Sequence, residues 1–362
     1  MNERQSVLEI STKAFNHNIQ EIKKLIGPKK EIMYVMKANG YGTYLNKNIN
    51  VIKDFNIIAT AIVKEAVELR LSGFKNKIFV LNQPYVEDIE NIINYDVTIG
   101  VADLNFIKEL SKRKDKFTIH LELETGMGRT GISPTDLDEV LEFLKETNNI
   151  EVEGVYTHLS AADTDEDFTN KQMELFKTGV SKIKEYYKDL KYIHASASNG
   201  ILNVEDDFCN LVRPGILLYG YLPSTKIKKQ IDLQPVAKLK SRILFIKKIE
   251  KDTSISYGRT FISTDKMTIA TIGIGYADGI RRNLSNIGKV IIDGKKSNIV
   301  GTICMDSFMA DVTDIDNVKV GDYVYIWDND KIKLEDIANQ CNTISYEILS
   351  TISNRVPRVF ID

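Results

Sequence analysis

The 362-residue chain has only three cysteines, and they lie far apart at Cys209, Cys304 and Cys341. They form no CxxC pair and no disulfide framework, which fits a reducing compartment. Four histidines, none at metal-ligand spacing, leave no dedicated metal site to expect. No apolar run approaches the roughly 18–20 residues of a membrane helix. The first residues, MNERQSVLEIS, lack the apolar stretch of a signal peptide, so a cytoplasmic protein is expected. There is no excess of either charge: 48 Lys plus Arg against 50 Asp plus Glu give a net charge of −2. That balance argues against nucleic acid or an anionic membrane as the main partner. There is no low-complexity tract and no repeat, and no GxGxxG turn follows the first strand-like run.

With 43% apolar and 27% charged residues, the composition suits a soluble protein of about two domains. Eight short apolar runs rich in branched residues read as strands: 31–36, 57–62, 78–81, 97–100, 117–123, 152–158, 192–195 and 211–213. Helical periods fall between them. Met173, Phe176, Val180, Ile183 and Tyr187 share one face. Ser133-Pro134 reads as an N-cap and first helical position ahead of Leu137, and Asp103 reads as the N-cap of the segment holding Phe106, Ile107 and Leu110. Eight strands alternating with helices predict an α/β chain whose N-terminal part is a parallel (βα)8 barrel. An open doubly wound sheet is the rival, without the glycine-rich turn of its dinucleotide-binding version. From about Gln234 helical periods thin out and strand runs follow at 237–246, 268–272, 289–292 and 323–327, with one helical stretch near 333–339. The expected division is a barrel over 11–234 and a mostly β domain over 235–362, joined by residues 1–10.

Working residues of such barrels sit at the C-terminal ends of the strands. That filter selects Lys37, Glu122, Glu124, Arg129, His158, Ser196, Ser198, Arg213 and Gly215, a ring suited to an anionic small molecule. Each has an ordinary reading too. Lys37 is also what a surface loop would carry, His158 and His194 also suit structural roles, and Arg129 also suits an ion pair with Glu122 or Glu124.

The segment VMKANGYG (35–42) resembles the pyridoxal-phosphate signature of the alanine racemases. The likeness continues in order through ETGMGRTG (124–131), VYTHLSAAD (155–163), VRPGILLYG (212–220), ISYGRT (255–260), IGIGYADG (272–279), GTICMD (301–306) and ISYEILSTISNRVPR (344–358). The resemblance implies pyridoxal 5′-phosphate as cofactor, a homodimer with its sites at the subunit interface, and interconversion of L- and D-alanine for peptidoglycan. It implies Lys37 as the lysine joined to the cofactor and as one of two bases working on the resulting aldimine. Tyr257, reaching from the partner subunit, is the other base, with His158 as its neighbour. Tyr41, Ser198, Gly215, Ile216 and Tyr346 match the phosphate cradle, and Arg213 matches the arginine facing the pyridine nitrogen. Arg129 and Met305 match substrate-side positions.

Three departures stand out. Glu122 occupies the place of a lysine that is carbamylated in many relatives, and is expected to orient Arg129 directly. YGTY (41–44) replaces YGHG. HASASNG (194–200) keeps Ser198 but has Ala197 where the family has asparagine, and also resembles the serine racemase domains of vancomycin-resistance systems. Serine therefore stands as a second substrate. A pyridoxal-phosphate decarboxylase of basic amino acids and a non-catalytic cofactor-binding barrel are the rivals from other classes.

Overall fold

A strand covered on both faces reads as a near-continuous apolar run. Ile57–Thr60, Lys77–Val80 and Thr98–Val101 behave this way, while Phe117–Glu122, Ile150–Tyr156 and Tyr192–His194 interrupt it with His120, Glu122, Glu153 and His194. The computed structural model describes residues 6–362. After β1 (Val7–Ser11), the barrel strands are β2 (Glu31–Val35), β3 (Ile57–Thr60), β4 (Lys77–Val80), β5 (Thr98–Val101), β6 (Phe117–Glu122), β7 (Ile150–Tyr156), β8 (Tyr192–His194) and β9 (Leu211–Val212). All four residues of β3 and of β5 are buried. Strands β2 to β8 pair in chain order and in parallel, and β9 pairs with β2 through Ile32 and Val212. The ring closes where Arg213 N–H donates to Ser196 O at 2.9 Å, beside a parallel bridge between Ala197 and Arg213. The sequence's eight strands are therefore a closed (βα)8 barrel rather than an open sheet.

Helices line its outside. The segment Glu166–Tyr186 buries Met173, Phe176, Val180 and Ile183 against the strands; truncating a residue such as Phe176 to alanine costs about 3–5 kcal/mol by the usual core scale. Asp103 caps the helix Leu104–Ser111, accepting from Asn105 N–H at 2.7 Å and Phe106 N–H at 3.1 Å. Ser133 does not cap. The residues after Pro134 form a turn closed by Asp136 N–H to Ser133 O at 3.0 Å, and the helix begins at Leu137.

The second sheet is built from β10 (Ala237–Ile249), β13 (Met267–Ile272), β14 (Lys289–Ile292), β15 (Lys295–Val300), β16 (Phe308–Asp311), β17 (Tyr323–Trp327) and β18 (Arg358–Ile361), with the short ribbon β11 (Ser254–Ile255) and β12 (Phe261–Ile262) beside it. β1 pairs antiparallel with β10 and parallel with β18, so this sheet takes the chain's first strand. The first five residues of the N-terminal stretch assigned to this domain lie outside the described residues. Two helices, not one, follow β17: Leu334–Gln340 and Ser345–Ser350. The second is six residues long, too short to show a period, and it carries Tyr346 over the barrel mouth. Arg358 Nε donates to Gly42 O at 2.8 Å, and a Cβ on Gly42 would lie 2.4 Å from Leu349 O. The turn after Lys37 is thus pinned from the second domain. Among the described residues no helix is long and apolar enough to cross a membrane.

Candidate active site

Lys37 directly follows β2. The next four residues, Ala38, Asn39, Gly40 and Tyr41, hold φ values of 52°, 55°, 61° and 54°, a left-handed turn. Each non-glycine residue there costs about 1–2 kcal/mol. The turn persists because its polar groups are matched. Gly40 N–H donates to Met36 O at 3.0 Å, Gly42 N–H to Ala38 O at 2.8 Å, and Ala38 N–H to Glu65 Oε1 at 2.6 Å. Glu65, which the sequence did not single out, also accepts from Ala61 N–H at 2.8 Å and so ties β3 to the Lys37 peptide. Burial first, then the Arg129 and Arg213 charges, push the Lys37 amine below its ordinary pKa, which favours the nucleophilic neutral form.

Lys37 lines a cavity of about 260 Å³ at the barrel mouth, with Tyr41, Arg129, His158, Ser198, Arg213, Gly215 and Tyr346. The sequence's candidates are thereby brought together from five strand ends and one helix of the second domain. Ser198 Oγ accepts from Gly215 N–H at 3.0 Å. Gly215 has no alternative, because a Cβ there would stand 2.1 Å from the Tyr41 hydroxyl oxygen. The Tyr41 ring lies 6.0 Å from that of Tyr346, and Ile216 opens a buried turn of 3-10 helix behind the cradle.

Arg213 is buried and meets no carboxylate within 4 Å among the described residues. NH1 donates to His194 Nδ1 at 2.8 Å and His194 O at 3.0 Å; NH2 donates to Thr157 O at 2.8 Å and Ala195 O at 3.0 Å and faces His158 Nδ1 at 3.3 Å. Burial brings its pKa down to about 10, still charged at neutral pH. Burial, followed by the charges of Arg213, Arg129 and Lys37, lowers His158 to about 3. The imidazole is therefore neutral. Because its Nδ1 faces an obligate donor, its proton sits on Nε2.

Glu122 corrects an expectation. Its carboxylate accepts from Thr130 Oγ1 at 3.0 Å and lies 3.2 Å from the Tyr156 hydroxyl, and it forms no ion pair with Arg129 within 4 Å. The eight-residue separation in HLELETGMGRT lets the nearer hydroxyl of Thr130 take the place of Arg129. Glu124 likewise turns to its own loop, accepting from Gly126 N–H and, at 2.9 Å, Gly128 N–H. Arg129 is exposed at the cavity edge.

Tyr257 and Met305 do not join this cavity. They are 71% and 52% exposed on the second domain. Their loops are joined to each other: Ser256 Oγ donates to Thr302 O at 2.5 Å, and Thr302 Oγ1 to Tyr257 O at 2.9 Å. Ser256 has φ 63° and ψ −174°, so the Tyr257 turn is held in a backbone state that costs energy. A small separate apolar cluster of Ile249, Ile255, Ile269 and Val300 supports it from below.

A barrel with an amine of lowered pKa and two arginines at its mouth, backed by a β domain, suits an enzyme whose small ligands carry anionic groups. The comparisons place it more closely. The family described as alanine racemase matches twice, its N-terminal domain over residues 10–223 and its C-terminal domain over 236–360. Alanine racemase 2 of Caldanaerobacter subterraneus subsp. tengcongensis is 37% identical across 99% of this chain and 95% of its own length. The solved alanine racemase of Clostridium difficile 630 superposes with a TM-score of 0.92 at 34% identity, covering 100% of this chain and 97% of that one. The alanine racemase of Bacillus anthracis with bound L-Ala-P gives 0.93 at 33% identity, covering 100% and 96%. The chain belongs to the alanine racemase family.

Proposed function

We propose that the chain interconverts L- and D-alanine with pyridoxal 5′-phosphate held at the barrel mouth, in a homodimer whose two sites each take Tyr257 and Met305 from the other subunit. The division near residue 235 into a cofactor-holding barrel and a partner-reaching β domain belongs to this reading, as do D-alanine supply for peptidoglycan and a cytoplasmic setting. The observation that carries it is Lys37, its amine depressed by burial, beside a cradle that only glycine at 215 leaves open.

The residues fit the group. Tyr41, Ser198, Tyr346 and the backbone at Gly215–Ile216 offer hydroxyls and N–H groups to a phosphate without a P-loop. Asn199 Oδ1 is buried in the same cavity with no partner. When bound, pyridoxal phosphate supplies an electron sink for the pair left on the α-carbon as its proton departs. Arg213, its two amino groups committed to protein partners, would offer the pyridine nitrogen a single N–H donor on Nε, since a guanidinium does not give up its proton. That limits how far charge flows into the ring and disfavours side reactions.

Lys37 then carries the proton on one face of the substrate. Tyr257 of the partner subunit carries it on the other. A phenol is a weak base at its ordinary pKa near 10. The Nε2–H of neutral His158 is the donor that stabilises its oxyanion. Arg129, in no ion pair within 4 Å among the described residues, takes the substrate carboxylate at the cavity edge. Purified protein with added cofactor should convert L-alanine to a racemic mixture. No conversion by protein that holds the cofactor would refute the reading.

A further inference from the structure

Behind Arg213 the barrel interior holds a line of polar groups that the reaction does not use. His194 Nε2 lies 2.9 Å from His120 Nδ1, and His120 Nε2 lies 3.2 Å from Glu153 Oε2. Glu153 closes the line at the opposite end of the barrel, with Lys77 Nζ 2.6 Å from Oε2 and Lys191 Nζ 3.6 Å from Oε1. Both imidazoles are fully buried.

The backbone is shaped for this line. In the pairing of β6 with β7, Ile119 faces Val152 while His120 faces Gly154, so Glu153 is an extra residue at a bulge. Bulges re-aim a side chain. A Cβ on Gly154 would stand 2.9 Å from three atoms of the His120 ring, so glycine clears the space. The Tyr156 ring stacks on His194 at 5.0 Å and 4°, and Phe79 meets His120 at 4.6 Å.

The direction of every hydrogen bond follows from the two ends. Arg213 can only donate, so His194 Nδ1 must be bare and its proton sits on Nε2. That N–H donates to His120 Nδ1, which places the second proton on His120 Nε2. Ionised Glu153 can only accept it. A proton added to either imidazole would set N–H against N–H at one link. Burial opposes protonation of both rings as well.

We propose that Glu153 and His120 are positioning residues for the racemisation: they fix the tautomer of His194 and through it the plane in which Arg213 meets the cofactor ring. This rests on Arg213 facing that ring. A one-way chain ended by an anion strengthens each acceptor along it, and truncating it loosens the guanidinium.

The first test needs no activity. The chain has four histidines, so selective 15N-histidine labelling of the wild type resolves each ring by NMR. His120 and His194 should both be neutral with the proton on Nε2. A proton on Nδ1 of His194, or a charged His120, overturns the chain. The second test uses Glu153→Met and Glu153→Gln in cofactor-loaded protein. Glu153→Met should lower kcat about tenfold, leave KM for alanine within about twofold, and shift the visible absorbance of the lysine-linked cofactor. Glu153→Gln, whose amide oxygen still accepts from His120, should recover kcat to within about threefold. A folded Glu153→Met protein with unchanged kcat and spectrum overturns the positioning role. Should Glu153→Met fail to fold, the wild-type tautomers and Glu153→Gln decide. Racemisation with the wrong tautomers sinks this inference alone. Expected tautomers without racemisation sink the functional reading and the positioning role with it.

Discussion

In the proposed function the barrel mouth and the Tyr257 loop are two halves of one chemistry, and they are built in opposite ways. At the mouth, Lys37, Arg213 and His158 are withdrawn from water, with every N–H of Arg213's two amino groups directed at a named acceptor or ring. On the second domain, Tyr257 and Met305 stand exposed on a braced loop. Burial first, and neighbouring positive charges after it, perturb the first set; the second keeps its ring and thioether in the open with a strained backbone behind them. An exposed tyrosine is ordinarily unremarked, but this one follows a Ser256 at positive φ whose hydroxyl is fixed to Thr302 O. Under the proposed function, the difference teaches that a single chain holds a finished floor for its own site and a wall for its partner's.

The comparison breaks most severely at Lys37. Lys37→Ala should abolish the visible absorbance of lysine-linked cofactor and lower racemisation by at least about a thousandfold. Retained absorbance would show that another amine anchors the cofactor. At the cradle, Gly215→Ala sets a methyl against the Tyr41 hydroxyl, and should weaken cofactor affinity at least about tenfold, measured by titrating stripped protein. At the mouth's edge the effect should be small. Glu122→Gln keeps an acceptor for Thr130 and never touched Arg129, so kcat/KM should stay within about threefold of the parent. A larger loss would restore Glu122 to the role the sequence suggested.

Acid stability separates the barrel's interior from its mouth. Burial pushes the Glu153 carboxyl up, but the His120 hydrogen bond and the Lys77 contact outweigh it and hold the pKa at about 2, below the ordinary 4.5. A depressed acid contributes stability that is present above its unfolded pKa and lost as pH falls through its folded one. Urea midpoints should therefore fall from about pH 5 toward pH 2, and Glu153→Gln should flatten that fall.

How much the sequence shows follows the same division. The eight barrel strands were legible because strands covered on both faces are mostly apolar, and Asp103 was legible as a cap because its donors lie two and three residues on. Ser133-Pro134 misled because a proline turn and a proline-led first helical turn share that dipeptide. The helix carrying Tyr346 was too short for a period. Glu122 was misread because its partners are chosen in three dimensions, by Thr130 and Tyr156. Glu65, Glu153 and Gly154 gave no signal at all. A carboxylate that receives a peptide N–H from another strand, or a glycine that clears a histidine ring, has no local pattern. The site's residue types were visible in their motifs; the hydrogen bonds that orient them were not.

The central claim is that each site is completed across two subunits, and subunit mixing tests it directly. Tyr257→Phe protein should keep the cofactor absorbance and lose roughly 10²–10⁴-fold in rate. Lys37→Ala and Tyr257→Phe proteins, each inactive, are unfolded together, refolded and assayed. Random pairing makes half the dimers mixed, and each mixed dimer has one site with both Lys37 and Tyr257 intact, so about a quarter of wild-type activity should return. No recovery from refolded mixed dimers, or an active Tyr257→Phe protein by itself, would contradict the account.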